Sequence, residues 1–89
     1  MKKFSMVGKL MEIETFPGKE SAQARLVLGF LGDTERIHLD PNRVNEMRQF
    51  INKDVVVDGT IEHQLRVFGK NVDERYSFHA ETVKKSSDK

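Results

Sequence analysis

The chain has 89 residues, 37% of them hydrophobic and 33% charged, with no cysteine and a formal net charge of +1. A chain this short holds one core and not two, and the missing cysteines exclude disulfide staples, thiolate metal sites and a cysteine nucleophile. With 15 basic against 14 acidic side chains, any site for a polyanion has to come from local clustering, not from bulk charge.

The start, Met1-Lys2-Lys3-Phe4-Ser5-Met6-Val7, opens like a secretory leader, but Lys9, Glu12 and Glu14 interrupt the apolar run a leader requires. No segment has the length and hydrophobicity of a membrane-spanning helix. The expectation is a soluble cytoplasmic protein with no membrane partner.

Phe4 to Thr15 is predicted as a long first strand, whose buried face switches near Gly8, a residue type that marks bulges and bends. Phe16-Pro17-Gly18-Lys19 is a turn signal. Ala22 to Leu31 alternates, with Ala24, Leu26, Leu28 and Phe30 on one face and Gln23, Arg25, Val27 and Gly29 on the other, as a half-buried strand does. Gly32-Asp33-Thr34 is the next turn. A short third strand points Ile37 and Leu39 inward and Arg36 and His38 outward.

The period then changes. Asp40-Pro41 is a helix start, with aspartate as N-cap and proline at the first helical position. Val44, Met47, Phe50 and Ile51 follow at helical spacing for about three turns, and Asn52 is a suitable stop. Val55 to Ile61 opens strand four, and Tyr76 to Val83 carries strand five. An even-length turn centred on Lys70-Asn71 sets Ile61 opposite Ala80, His63 opposite Phe78 and Leu65 opposite Tyr76, gathering the large apolar groups on one face. Arg66, Phe68 and Arg75 then share the outward face near the hairpin tip, with Lys70 in the turn, while Tyr76 and Phe78 belong to the core.

The strand-strand-strand-helix-strand-strand order, with Gly8 in strand one and Gly59 in strand four, resembles the OB-fold. Two segments, Val55-x-Val57-x-Gly59-x-Ile61 and Phe78-His79-Ala80-Glu81, are similar to bacterial single-stranded-DNA-binding and primosomal OB proteins. The chain differs from them in its short first hairpin loop, its lack of tryptophan and the lack of an acidic C-terminal tail. The resemblance implies an all-β fold, a five-stranded OB-type barrel with one short helix between strands three and four. It would occupy residues 1–85 as one domain, followed by a disordered tail over 86–89.

Nothing in the sequence supports catalysis or a cofactor. His38, His63 and His79 match no local metal motif, and Glu12, Glu14, Glu62 and Glu81 fall on solvent-side strand positions. OB domains bind single strands across strands two and three, between the first and last hairpin loops. On that surface the candidate nucleic-acid-binding residues are Lys19, Arg25, Arg36 and His38, joined by Arg66, Phe68, Lys70 and Arg75 of the last hairpin. Cations neutralise phosphates, while an aromatic ring or guanidinium plane stacks on bases without reading sequence. The expected function is therefore a non-enzymatic module for single-stranded DNA or RNA, with salt-sensitive affinity. In the plainer alternative, Arg66 and Arg75 pair with Glu62, Asp73 and Glu74, and Phe68 packs on arginine stems. A different class of function is also open. Leu65, Val67, Phe68 and Val72 put more apolar surface at the hairpin than a monomer leaves in water. The hairpin over 62–76 could pair edge to edge with a copy of itself, as a homodimer, or seat in a partner protein's groove.

Overall fold

The computed structural model describes residues 2–16, 18 and 23–86. Five strands, β1 (Lys2–Phe16), β2 (Gln23–Phe30), β3 (Asp33–Leu39), β4 (Asp54–Phe68) and β5 (Asn71–Lys85), close into a barrel in the order β1-β2-β3-β5-β4. All neighbours are antiparallel except β3 and β5, which run parallel and join at a single bridge, His38 to His79. No helix is long and apolar enough to cross a membrane among the described residues.

β1 serves two partners, pairing with β4 over Lys2–Lys9 and with β2 over Lys9–Phe16. Gly8 sits at that handover, and a Cβ there would collide with the Gly29 carbonyl oxygen. Its role is thus close backbone approach, not the expected switch of faces. The switch comes later, between Leu10 and Glu12, where Met11 is the extra residue of a bulge. Before the bulge Met6 and Leu10 are buried; after it Ile13 packs on the core. The inward set expected of β2 is observed, with Ala24, Leu26 and Leu28 buried and Phe30 against the core, joined by Ile37 and Leu39 of β3 and by Val55 and Val57 of β4. Val27, expected on the solvent side, is buried as well.

The turn between β2 and β3 is Leu31-Gly32, one residue earlier than Gly32-Asp33-Thr34, and both residues have positive φ, 53° and 80°. Two positive φ values match the right-handed strand twist, which is why two-residue hairpins favour them. Asp40 caps the next segment by accepting from Asn42 N at 3.0 Å. Only Val44–Met47 is α-helix (α1), flanked by 3₁₀ turns over Pro41–Arg43 and Arg48–Phe50. Val44 and Met47 are buried in the core, and Asn52, at φ 71°, ends the segment as expected.

Both bulges act as attachment points for this helical segment. At the β1 bulge, Leu10 N donates to Lys53 O at 3.0 Å and Asn52 N donates to Leu10 O at 2.7 Å. At the β5 bulge Ala80 faces Gly59 and Thr82 faces Asp58, leaving Glu81 unpaired, and its carbonyl accepts from Arg43 Nη1 at 2.6 Å. A bulge frees backbone groups from the ladder, and here those groups bind the helical segment to the barrel.

β4 and β5 extend well past the barrel as a two-stranded ribbon. Its turn is Gly69-Lys70, closed by Phe68 opposite Asn71. The even turn length is as expected, but the register is not: Ile61 faces Phe78, His63 faces Tyr76 and Leu65 faces Glu74. Gly69 has φ 59°, and a glycine at the first central position is what a type II′ turn requires. That requirement moves the turn off Lys70-Asn71 and starts β5 at Asn71, five positions before the expected Tyr76. At its other end β5 carries Lys84 and Lys85 opposite Val56 and Val55, and Ser86 N donates to Asp54 O at 2.8 Å.

Candidate nucleic-acid interface

The outward face of β2 and β3 gathers side chains that only the register brings together. Glu14 stands opposite Arg25, and Arg25 opposite His38. The Glu14 carboxylate accepts from Arg36 Nε at 3.1 Å and lies 3.3 Å from Arg25 Nη2. The Arg25 guanidinium also covers the Phe16 ring, 4.5 Å from its centroid, a cation–π contact. Two of the expected phosphate contacts are thus held by one carboxylate. Arg25, Arg36 and His38 do share a surface, but one carboxylate, Glu14, offsets half of the charge of its two arginines.

His38 continues this surface toward β5. Its ring stacks on His79, centroids 5.1 Å apart and planes 24° apart, and His79 Nε2 is 3.2 Å from Glu62 Oε1. Burial, then the neighbouring His79 and Arg25, hold the His38 pKa below the usual 6.5, with Glu62 acting in the opposite direction. His38 is therefore mainly neutral at pH 7, a planar ring and not a cation.

The ribbon has two different faces. On the outer one Arg66 stands opposite Asp73, Gln64 opposite Arg75 and Phe68 opposite Asn71. Arg75 Nε donates to Asp73 Oδ2 at 3.1 Å. Arg66 and Lys70 make no ion pair among the described residues, and Phe68 is 58% exposed. The pairing expected of Arg75 is present, and that of Arg66 is not.

The inner face carries Leu65, Val67 and Val72, all exposed, together with Tyr76 at 60% exposure. Phe68 lies on the opposite face from these three, so the four candidate interface residues do not form one patch. Tyr76 is not core: the shifted register places it opposite His63, beyond the barrel, where no strand among the described residues covers it. His63, expected inward beside Phe78, instead stacks on Tyr76 at 4.6 Å with planes 8° apart, its Nε2 2.8 Å from Glu74 Oε2. Phe78 packs against the core, edge-on to Phe4 at 5.1 Å.

No family model and no curated protein matches the chain by sequence. Solved structures do match by shape. The second single-stranded DNA-binding protein (SSBb) of Mycobacterium smegmatis superposes with a TM-score of 0.63 at 11% identity, covering 97% of this chain and 87% of that one. The mitochondrial single-stranded DNA-binding protein Rim1 of S. cerevisiae gives 0.68 at 12% identity, covering 98% of each chain. The small single-stranded DNA-binding protein of Streptomyces coelicolor gives 0.57 at 12% identity over 94% of this chain and 93% of that one. The chain has the OB fold.

In this OB barrel the sequence missed Glu14, Phe16, Glu62 and His79 as parts of the candidate surface. Phe16 reads as a turn residue and the two glutamates as solvent-side positions, because their partners lie on other strands and only register names them. Lys19, the remaining candidate, lies outside the described residues. Among the described residues no group of three or more His, Cys, Asp or Glu is placed to hold a metal ion.

Proposed function

We propose that this OB barrel binds single-stranded nucleic acid, with the outer face of the β4–β5 ribbon as its principal contact. The observation that carries the reading is the grouping of Phe68, exposed, with Arg66 and Lys70, neither held by a carboxylate among the described residues. An exposed aromatic ring beside unpaired cations suits unstacked bases and phosphates together. The named activity of the matching folds in three organisms supports it by association,. The strand would run from the ribbon across His38, Arg25 and Arg36, the face OB domains commonly use.

The balance of charge limits the affinity. With Arg25 and Arg36 shared by Glu14 and Arg75 held by Asp73, Arg66 and Lys70 would carry most of the phosphate contact. Neutralising about two phosphates of a single strand gives a slope of about −1.4 in log K against log salt. The test is a fluorescence titration of labelled single-stranded DNA and RNA, roughly ten to twenty nucleotides long, at two salt concentrations. Phe68→Ala should weaken binding about tenfold, the loss of one stacked base, and Arg66→Glu should flatten the salt slope. No binding at low salt sinks the proposal.

A further inference from the structure

Beyond β5's bridge to β3 at His79, the edge of β5 that faces away from β4 has no ladder partner among the described residues. The turn Gly69-Lys70 closes on the pair Phe68–Asn71, and two-residue turns of this kind close on a hydrogen-bonded pair. By alternation, Val72, Glu74 and Tyr76 direct their N–H and C=O groups toward the open edge. Such an edge is a template for another strand unless it is blunted; residues 71–77 contain no proline or glycine, and their charged residues are Asp73, Glu74 and Arg75.

We propose that the occupant of this edge is β5 of a second copy of the chain, antiparallel, in the register that sets Glu74 opposite itself. The argument is self-complementarity. That register sets Val72 opposite the partner's Tyr76, and Tyr76 opposite the partner's Val72, on the inner face where both are exposed. On the outer face Asp73 meets the partner's Arg75 and the reverse, so two ion pairs form by symmetry. Sliding the strands by one step in either direction that keeps the faces matched sets Asp73 against Asp73 or Arg75 against Arg75. Each slide also loses the Val72–Tyr76 pairs. The Arg75–Asp73 contact within one chain, 3.1 Å, shows that these side chains already lie together on the outer face.

The one unfavourable feature is the central Glu74 pair. Each Glu74 carboxylate has a partner in its own chain, His63 Nε2 at 2.8 Å. Pairing would turn two marginal ribbons into a four-stranded sheet, with Leu65, Val67, Val72 and Tyr76 of both copies along one face. It does not depend on nucleic acid, and all measurements are made without it.

Because the chain lacks cysteine, single cysteines report the register directly. Opposed residues in a hydrogen-bonded antiparallel pair lie about 5.5 Å apart at Cα, within disulfide range. Glu74→Cys should crosslink to a dimer under mild oxidation. Val72→Cys should not, because its copies would lie about 13 Å apart, four residues at 3.3 Å each. In sedimentation, Arg75→Asp should weaken dimerisation about tenfold, by turning two opposite-charge pairs into like-charge pairs. The exchange Asp73→Arg with Arg75→Asp should restore it, and Glu74→Gln should tighten it. A concentration-independent monomer overturns the proposal. So does equal crosslinking at positions 72 and 74, or crosslinking through Leu65→Cys on β4 in place of position 74.

Discussion

His38 and His79 stack with ring centroids 5.1 Å apart across the single bridge that joins β3 to β5. The barrel therefore closes at a seam with one backbone pairing and two imidazoles. Burial and the adjacent His79 and Arg25 keep His38 harder to protonate when folded than its usual 6.5. Below that value the unfolded chain takes up the proton more readily, so the stability His38 supports is present at higher pH and is lost as pH falls below 6.5. Urea midpoints from about pH 8 to about pH 5 should fall in the wild type and fall less in His38→Asn. Equal slopes would show that His38 does not couple the seam to pH.

Gly59 permits the closest backbone approach in the ribbon's base. A Cβ there would run into the His79 carbonyl oxygen and lie 3.0 Å from Phe4 Cε1. Gly59→Ala should therefore cost about 2 kcal/mol or more, since rigid backbone has to move. Gly29→Ala is the comparison: its Cβ would meet the flexible Met11 Sδ at 3.2 Å, and the loss should be smaller. Denaturant titration of both variants measures the difference.

Leu31 is 88% exposed and holds φ 53° in the β2–β3 turn, a conformation that costs a bulky residue about 1 kcal/mol or more. Leu31→Asn makes an Asn-Gly pair, the preferred sequence for such a turn. Stability should rise by about 0.5–1 kcal/mol, seen as a higher urea midpoint with an unchanged slope.

Glu14 holds both Arg25 and Arg36. If the outer face receives a polyanion, Glu14→Gln should strengthen oligonucleotide binding several-fold and steepen its salt dependence. The ion pairs are partly exposed, so the stability loss should stay within about 1 kcal/mol. Unchanged binding in Glu14→Gln would place the ligand on the ribbon alone.

Much of the barrel was legible because local rules and packing agree. Alternation in Ala24–Phe30, the Asp40-Pro41 start and the spacing of Val44 and Met47 each point to the burial observed. The candidate surface was legible only in part. Arg25, Arg36 and His38 face outward as expected, but Glu14, which holds both arginines, is distant from Arg36 in the chain and adjacent only across strands.

Residue order by itself determined the order of strands around one short helical segment, the parity of the last hairpin and the outward grouping of Arg66, Phe68 and Arg75. These follow from side-chain periodicity, which any single strand or helix displays alone. Tertiary structure decided the position of the bulges, the step of the β4–β5 register and the exposure of Tyr76. A change of register by two residues keeps every side chain on its face, so periodicity does not choose between the alternatives. The positive φ of Gly69 and the close approach at Gly59 agree with one of them, and that choice leaves the inner face of the ribbon in water.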